Sequence, residues 1–62
     1  MPYVNIRVAG SLSREQKQEI SSGVTEVISR VAGKPPETIL IFIDEEQHEN
    51  IAIAGKLLEK PS

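Results

Sequence analysis

The sequence predicts an α+β fold: a single βαβ unit with a short C-terminal strand, spanning residues 1–62 as one domain and assembling into a homo-oligomer. Three observations predict it. Residues 3–8, YVNIRV, alternate cleanly, with Val4, Ile6 and Val8 on one side and Asn5 and Arg7 on the other, the period of a strand with one apolar face. Residues from Ser13 onward carry Ile20, Val24, Val27, Ile28 and Val31 at helical spacing. Residues 38–44, TILIFID, are apolar on both faces, with Ile39, Ile41 and Ile43 on one and Leu40 and Phe42 on the other. Strand, helix and strand in this order imply a right-handed crossover and parallel strands.

The connections support this order. Ala9 to Leu12 turns the chain through Gly10. Ser13 opens SREQ, a capping box with Gln16 as the reciprocal partner. The apolar side chains form one helical stripe, and Lys17, Gln18, Glu19, Ser21, Thr25, Glu26 and Arg30 fill the other faces. Gly23 costs up to about 1 kcal/mol relative to alanine in mid-helix and reads as close helix-to-sheet packing. Gly33 reads as the residue past the helix end, and Pro35-Pro36 prevents continuation. Residues 44–50, DEEQHEN, read as a solvated turn, residues 51–53 as a short third strand, and Ala54-Gly55 as a bend. Leu57 and Leu58 read as docking on a neighbour, and residues 59–62 as a fraying end.

A single helix covers only one face of such a sheet. The other leaves Leu40 and Phe42 in water, although burying each is worth roughly 1.5–3 kcal/mol. Another copy of the sheet is the simplest cover. Size argues the same way, because a chain of 62 residues is marginal alone. There is no cysteine and His48 is the sole histidine, so neither a disulfide nor a structural zinc site is expected, and no metal or cofactor is called for. Oligomerisation is the remaining staple.

Composition narrows function. A net charge of −2 with interspersed signs is not the footprint of a nucleic-acid binder, and Tyr3 and Phe42 are the only aromatics available for stacking bases. No apolar run approaches a membrane span, and the start lacks the pattern of a signal peptide. The expected partner is a small-molecule substrate, with no nucleic acid and no membrane. The lack of cysteine fits a cytoplasmic location.

The chain begins Met-Pro. A small side chain at position 2 lets aminopeptidase remove Met1, which leaves Pro2 with a secondary amine. MPYVNIRV, the SREQK helix start, the βαβ core and the closing NIAIAGK together resemble the 4-oxalocrotonate tautomerase family over nearly the whole chain. The resemblance implies small βαβ subunits assembled as homohexamers, trimers of dimers in which two sheets join. It implies an isomerase that moves a proton by keto–enol tautomerisation, 1,3 or 1,5, in an unsaturated 2-hydroxy or 2-oxo acid such as 2-hydroxymuconate, within the catabolism of aromatic compounds. The catalytic residue it implies is Pro2, acting as general base. Such a base needs a pKa near the working pH. An ordinary α-amino group titrates at about 7.7–8.0, and an apolar pocket lowers that value by disfavouring the ammonium.

The sequence also departs from the family. Its best-known members carry two arginines that bind substrate carboxylates, at positions occupied here by Leu12 and Leu40. Ile51 stands where an aromatic helps keep the pocket dry, and Ala9 where the first strand ends in leucine. By resemblance, Ala9, Leu12, Leu40 and Ile51 are therefore pocket positions around Pro2. Arg7 is available as a substitute cation and reads as a structural ion pair. Arg14 and Lys34 read as solvated, Lys56 as a structural contact with an adjacent subunit, and His48 as a surface histidine. Two other readings stay open. In one, a non-catalytic homo-oligomeric module uses Leu12, Leu40 and Ile51 for packing alone. In the other, the amine is a nucleophile that forms an iminium with a carbonyl substrate.

Overall fold

Two strands run side by side in the same direction under one long helix. The computed structural model describes residues 1–59, in the order β1 (Tyr3–Ala9), α1 (Arg14–Ala32), a 3-10 turn (Pro36–Thr38), β2 (Leu40–Glu46), a second 3-10 turn (His48–Asn50), β3 (Ala52–Ile53) and β4 (Lys56–Leu57). β1 pairs parallel with β2, from Tyr3 opposite Leu40 to Ala9 opposite Glu46, as the βαβ order predicts. Val4, Ile6, Val8, Ile41 and Ile43 are half-buried, while Tyr3, Asn5, Arg7, Leu40 and Phe42 are exposed. Glu45, opposite Val8, reaches Lys17 of α1, so the half-buried face is the one beneath the helix. No helix among the described residues is long and apolar enough to cross a membrane.

Helix α1 starts where its capping box places it. The Ser13 hydroxyl accepts from the Gln16 N–H at 3.1 Å, and the Ser13 N–H donates to the Gln16 side chain at 2.9 Å. Gly33 ends it at φ 66°, with its N–H donating to the Ser29 carbonyl. The helix is rolled away from the expected stripe. Val27 and Val31 are exposed, at 47% and 71%, while Ser21, Thr25 and Ser29 are half-buried beside Ile20, Val24 and Ile28. Lys17 near the start of the helix bonds Glu45 at the end of β2. Gly23 does not mark tight packing either: a Cβ built there meets nothing within 4 Å.

Other boundaries move as well. The first strand continues to Ala9, and the second begins at Leu40 because Thr38 is bound into the turn after Pro35 through both its N–H and its hydroxyl. Asp44 to Glu46 belong to β2 instead of a loop, and His48–Asn50 forms a 3-10 turn. The expected third strand is half of a small hairpin. Ile51 lies outside it, and Ala52 and Ile53 pair antiparallel with Leu57 and Lys56 across a turn at Ala54-Gly55, both at positive φ. Leu58 is half-buried and donates its N–H to the Ile51 carbonyl at 2.8 Å, whereas Leu57 is 62% exposed. Of the end expected to fray, residues 60–62 lie outside the described residues.

Gly10 carries the turn after β1. Its φ is +96°, and a Cβ there would sit 3.3 Å from Cε1 of His48, which is half-buried against this turn and not a free surface histidine. A non-glycine residue held in such a conformation costs about 1–3 kcal/mol. Gly10→Ala is therefore expected to lower unfolding stability by about that amount in a denaturant titration, and an unchanged midpoint contradicts the assignment.

Among the described residues none is buried, and the slab is only 14 Å thick. The open sheet face is divided. Tyr3, Leu40 and Phe42 make its apolar end, with the Tyr3 and Phe42 rings 6.4 Å apart, and Arg7, Asp44 and Glu46 make its charged end.

Candidate active site

Pro2 is fixed before β1 begins. Its carbonyl accepts from the Leu40 N–H at 3.0 Å, which ties residue 2 to the start of β2. Pro2 is half-buried and Met1 is 72% exposed. Pro2 thus lies beside Leu40 at the amino-terminal ends of both strands.

Ala9 and Ile51 meet elsewhere. The Gly10 N–H donates to the Glu46 carbonyl at 2.7 Å, and the Ile51 N–H to the His48 carbonyl at 3.1 Å. The first bond ties the end of β2 to the turn after β1, and the second closes the 3-10 turn that sets Ile51. Between them opens a cleft of about 590 Å³, lined by Arg7, Val8, Ala9, Glu46, Asn50 and Ile51. Pro2 and Ala9 stand at opposite ends of one strand, seven residues apart, or about 23 Å at strand rise. One chain therefore does not bring Pro2 and the Ala9–Ile51 cleft together.

Leu12 is separate again. It lines a cleft of about 500 Å³ with Gln16, Glu19 and Ile20, on the helix side of the sheet. Glu45 holds it there: one carboxylate oxygen accepts from the Leu12 N–H at 2.8 Å and the other pairs with Lys17 Nζ at 2.5 Å. Nothing in the reading of DEEQHEN as a turn exposes this role. The signal was parity, since Glu45 falls two and four residues after Ile43 and Ile41 on the face under the helix.

The Lys17 ammonium, and after it the Leu12 N–H, hold the Glu45 carboxyl below its ordinary value of 4.5. A carboxyl depressed in the folded state stabilises the fold above its unfolded pKa. That contribution disappears as pH falls through the lower folded value. Unfolding stability is thus expected to decline below about pH 4.5. Glu45→Gln is expected to flatten the decline, and an identical acid slope in the variant contradicts the assignment.

Arg7 forms the expected ion pairs, within its own chain, with Asp44 at 3.6 Å and Glu46 at 4.0 Å. Arg14, Lys34 and Lys56 are exposed. A cleft of about 570 Å³ along α1 has Glu26 and Arg30 as its charged lining groups, and these bind each other at 3.2 Å. No group of three or more metal-binding side chains occurs among the described residues.

One helix thus crosses a parallel strand pair, and a tethered proline heads the first strand. The family described as tautomerase enzyme matches residues 2–60. A probable tautomerase of Bacillus cereus is 36% identical over 58 residues, covering 94% of this chain and 95% of that one. A 2-hydroxymuconate tautomerase of Bacillus subtilis is likewise 36% identical over 58 residues, covering 94% of each. The crystal structure of YwhB, a homologue of 4-oxalocrotonate tautomerase, superposes with a TM-score of 0.83 at 34% identity, covering 90% of this chain and 92% of that one. The chain belongs to the tautomerase family, and its activity class is that of an isomerase.

Proposed function

We propose that this enzyme catalyses keto–enol tautomerisation of an unsaturated 2-hydroxy or 2-oxo acid, with Pro2 as general base once Met1 is removed. The observation that carries this reading is the bond from the Leu40 N–H to the Pro2 carbonyl, with Met1 exposed beyond it. That bond engages the carbonyl of residue 2 and not its nitrogen, and the pyrrolidine ring holds the nitrogen rigidly relative to its own Cα. The apolar side chains of Tyr3, Leu40 and Phe42 lie at the same end of the sheet. Covered by another copy, they favour the neutral amine. That amine takes the enol hydroxyl proton as the 2-oxo carbonyl forms, then returns it to carbon, so no net charge or atom is gained.

The site in this reading is built from several copies, as a homohexamer of three dimers. Two facts support it: the lack of any buried residue among those described, and the distance between Pro2 and the cleft at Ala9 and Ile51. The β1 edge is unpaired among the described residues. A second copy laid antiparallel along it carries the Pro2 end of one chain to the Ala9–Ile51 end of the other.

The test is a pH profile on protein whose intact mass shows that Met1 is absent. With phenylenolpyruvate as substrate, kcat/KM is expected to rise through an ionisation below the ordinary α-amino range of about 7.7–8.0 and then level off. A midpoint within or above that range, or full activity in protein that retains Met1, overturns the reading.

A further inference from the structure

We propose that Arg7 receives the carboxylate of the substrate, in the cleft at the carboxyl ends of β1 and β2, and that it selects acids with a single carboxylate. This rests on the tautomerase reading above. Among the described residues, Arg7 is the cation lining the cleft that also contains Ala9 and Ile51. Arg14, Lys17, Arg30, Lys34 and Lys56 do not line this cleft, and Lys17 and Arg30 pair with Glu45 and Glu26 elsewhere. The cleft lies at the carboxyl ends of β1 and β2.

The guanidinium of Arg7 is oriented but not saturated. Its contacts to Asp44 and Glu46, at 3.6 and 4.0 Å, are longer than the roughly 2.7–2.9 Å of a charge-assisted hydrogen bond, and its side chain is 68% exposed. An arginine offers five donors in a planar fork that matches a carboxylate in two parallel bonds. Asp44 and Glu46 hold the fork from one side and leave donors for an incoming acid. They also determine which acid enters. Arg7, Asp44 and Glu46 together carry a net charge of −1, so a first carboxylate is held through the directional fork and not by surplus positive charge, and a second anionic group meets repulsion with no donor to offset it. The remaining cleft wall is apolar at Val8, Ala9 and Ile51, with the Asn50 amide as a neutral polar group. The ligand described by these groups has one carboxylate and an apolar or aromatic remainder.

The experiment compares wild type, Arg7→Lys, Arg7→Gln and Pro2→Ala, all free of Met1, with phenylenolpyruvate, its methyl ester and 2-hydroxymuconate. Arg7→Gln is expected to raise KM for phenylenolpyruvate about 10- to 100-fold, the worth of a hydrogen bond to a charged group, and to change KM for the neutral ester by a much smaller factor. Arg7→Lys falls between, because it keeps the charge and loses the fork. Wild type is expected to prefer phenylenolpyruvate to 2-hydroxymuconate in kcat/KM. Equal loss on acid and ester, or an unchanged KM for the acid, overturns the role of Arg7 while Pro2→Ala remains inactive. If Pro2→Ala is as active as wild type, the underlying tautomerase reading has failed instead. A binding measurement on wild type keeps the question open to refutation should Arg7→Gln not fold. The Nε–H resonance of Arg7 in ¹⁵N-labelled protein is expected to shift saturably with 3-phenylpropionate and not with 3-phenylpropionamide. No shift with the acid overturns the proposal.

Discussion

Pro2→Ala in Met1-free protein is expected to lower kcat/KM for phenylenolpyruvate by about 10²–10⁴-fold, the contribution of a positioned general base. Alanine is also small, so Met1 is removed from the variant too. Its carbonyl still accepts from the Leu40 N–H, which is the bond that fixes residue 2. Thermal stability and oligomer size are therefore expected to stay close to wild type. The loss is specific to the nitrogen, because alanine replaces a ring-held secondary amine with a primary amine that rotates freely about its bond to Cα. Steady-state kinetics beside a melting curve check this. A rate within a few-fold of wild type removes Pro2 from the mechanism, whatever the assembly does.

Phe42→Asp is expected to dissociate the assembly and abolish activity together. Phe42 is 52% exposed, on the open face between Leu40 and Asp44, with its ring beside that of Tyr3. Sealed by a second copy, it contributes on the order of 1.5–3 kcal/mol per chain. A carboxylate there instead loses its water without a cationic partner, at several kcal/mol. Phe42→Leu keeps an apolar group and is expected to keep both size and rate. Light scattering after size exclusion reads the mass, and the enol assay reads the activity. A Phe42→Asp protein of unchanged mass shows that this face is not the interface. One of reduced mass and full rate shows that the smaller species is sufficient for catalysis.

Much of the fold was legible locally. The alternation in YVNIRV, the SREQ box and Gly33 each act within a few residues, and each places its element correctly. The resemblance carried by MPYVNIRV and NIAIAGK led to the right family. The second strand was harder to bound, since TILIFID reads as strand from its first residue while the hydroxyl of Thr38 closes a turn onto Pro35. The roll of α1 was illegible for a different reason. Its apolar stripe includes Val27 and Val31, which the monomer leaves in water, so the stripe records more surface than one sheet covers.

The site divides along the same line. Sequence by itself determined that a proline follows the first methionine, that a strand starts directly after it, and that the positions of both family arginines hold leucine. Only the tertiary structure decided that Pro2 is tied to Leu40, that Ala9 and Ile51 share a cleft with Arg7, and that Leu12 is held by Glu45 on the opposite side of the sheet. The physical reason is range. Periodicity and capping report on neighbours within a turn or a pleat, whereas Leu12 and Glu45 are separated by 33 residues and meet only because the register of two parallel strands brings them level.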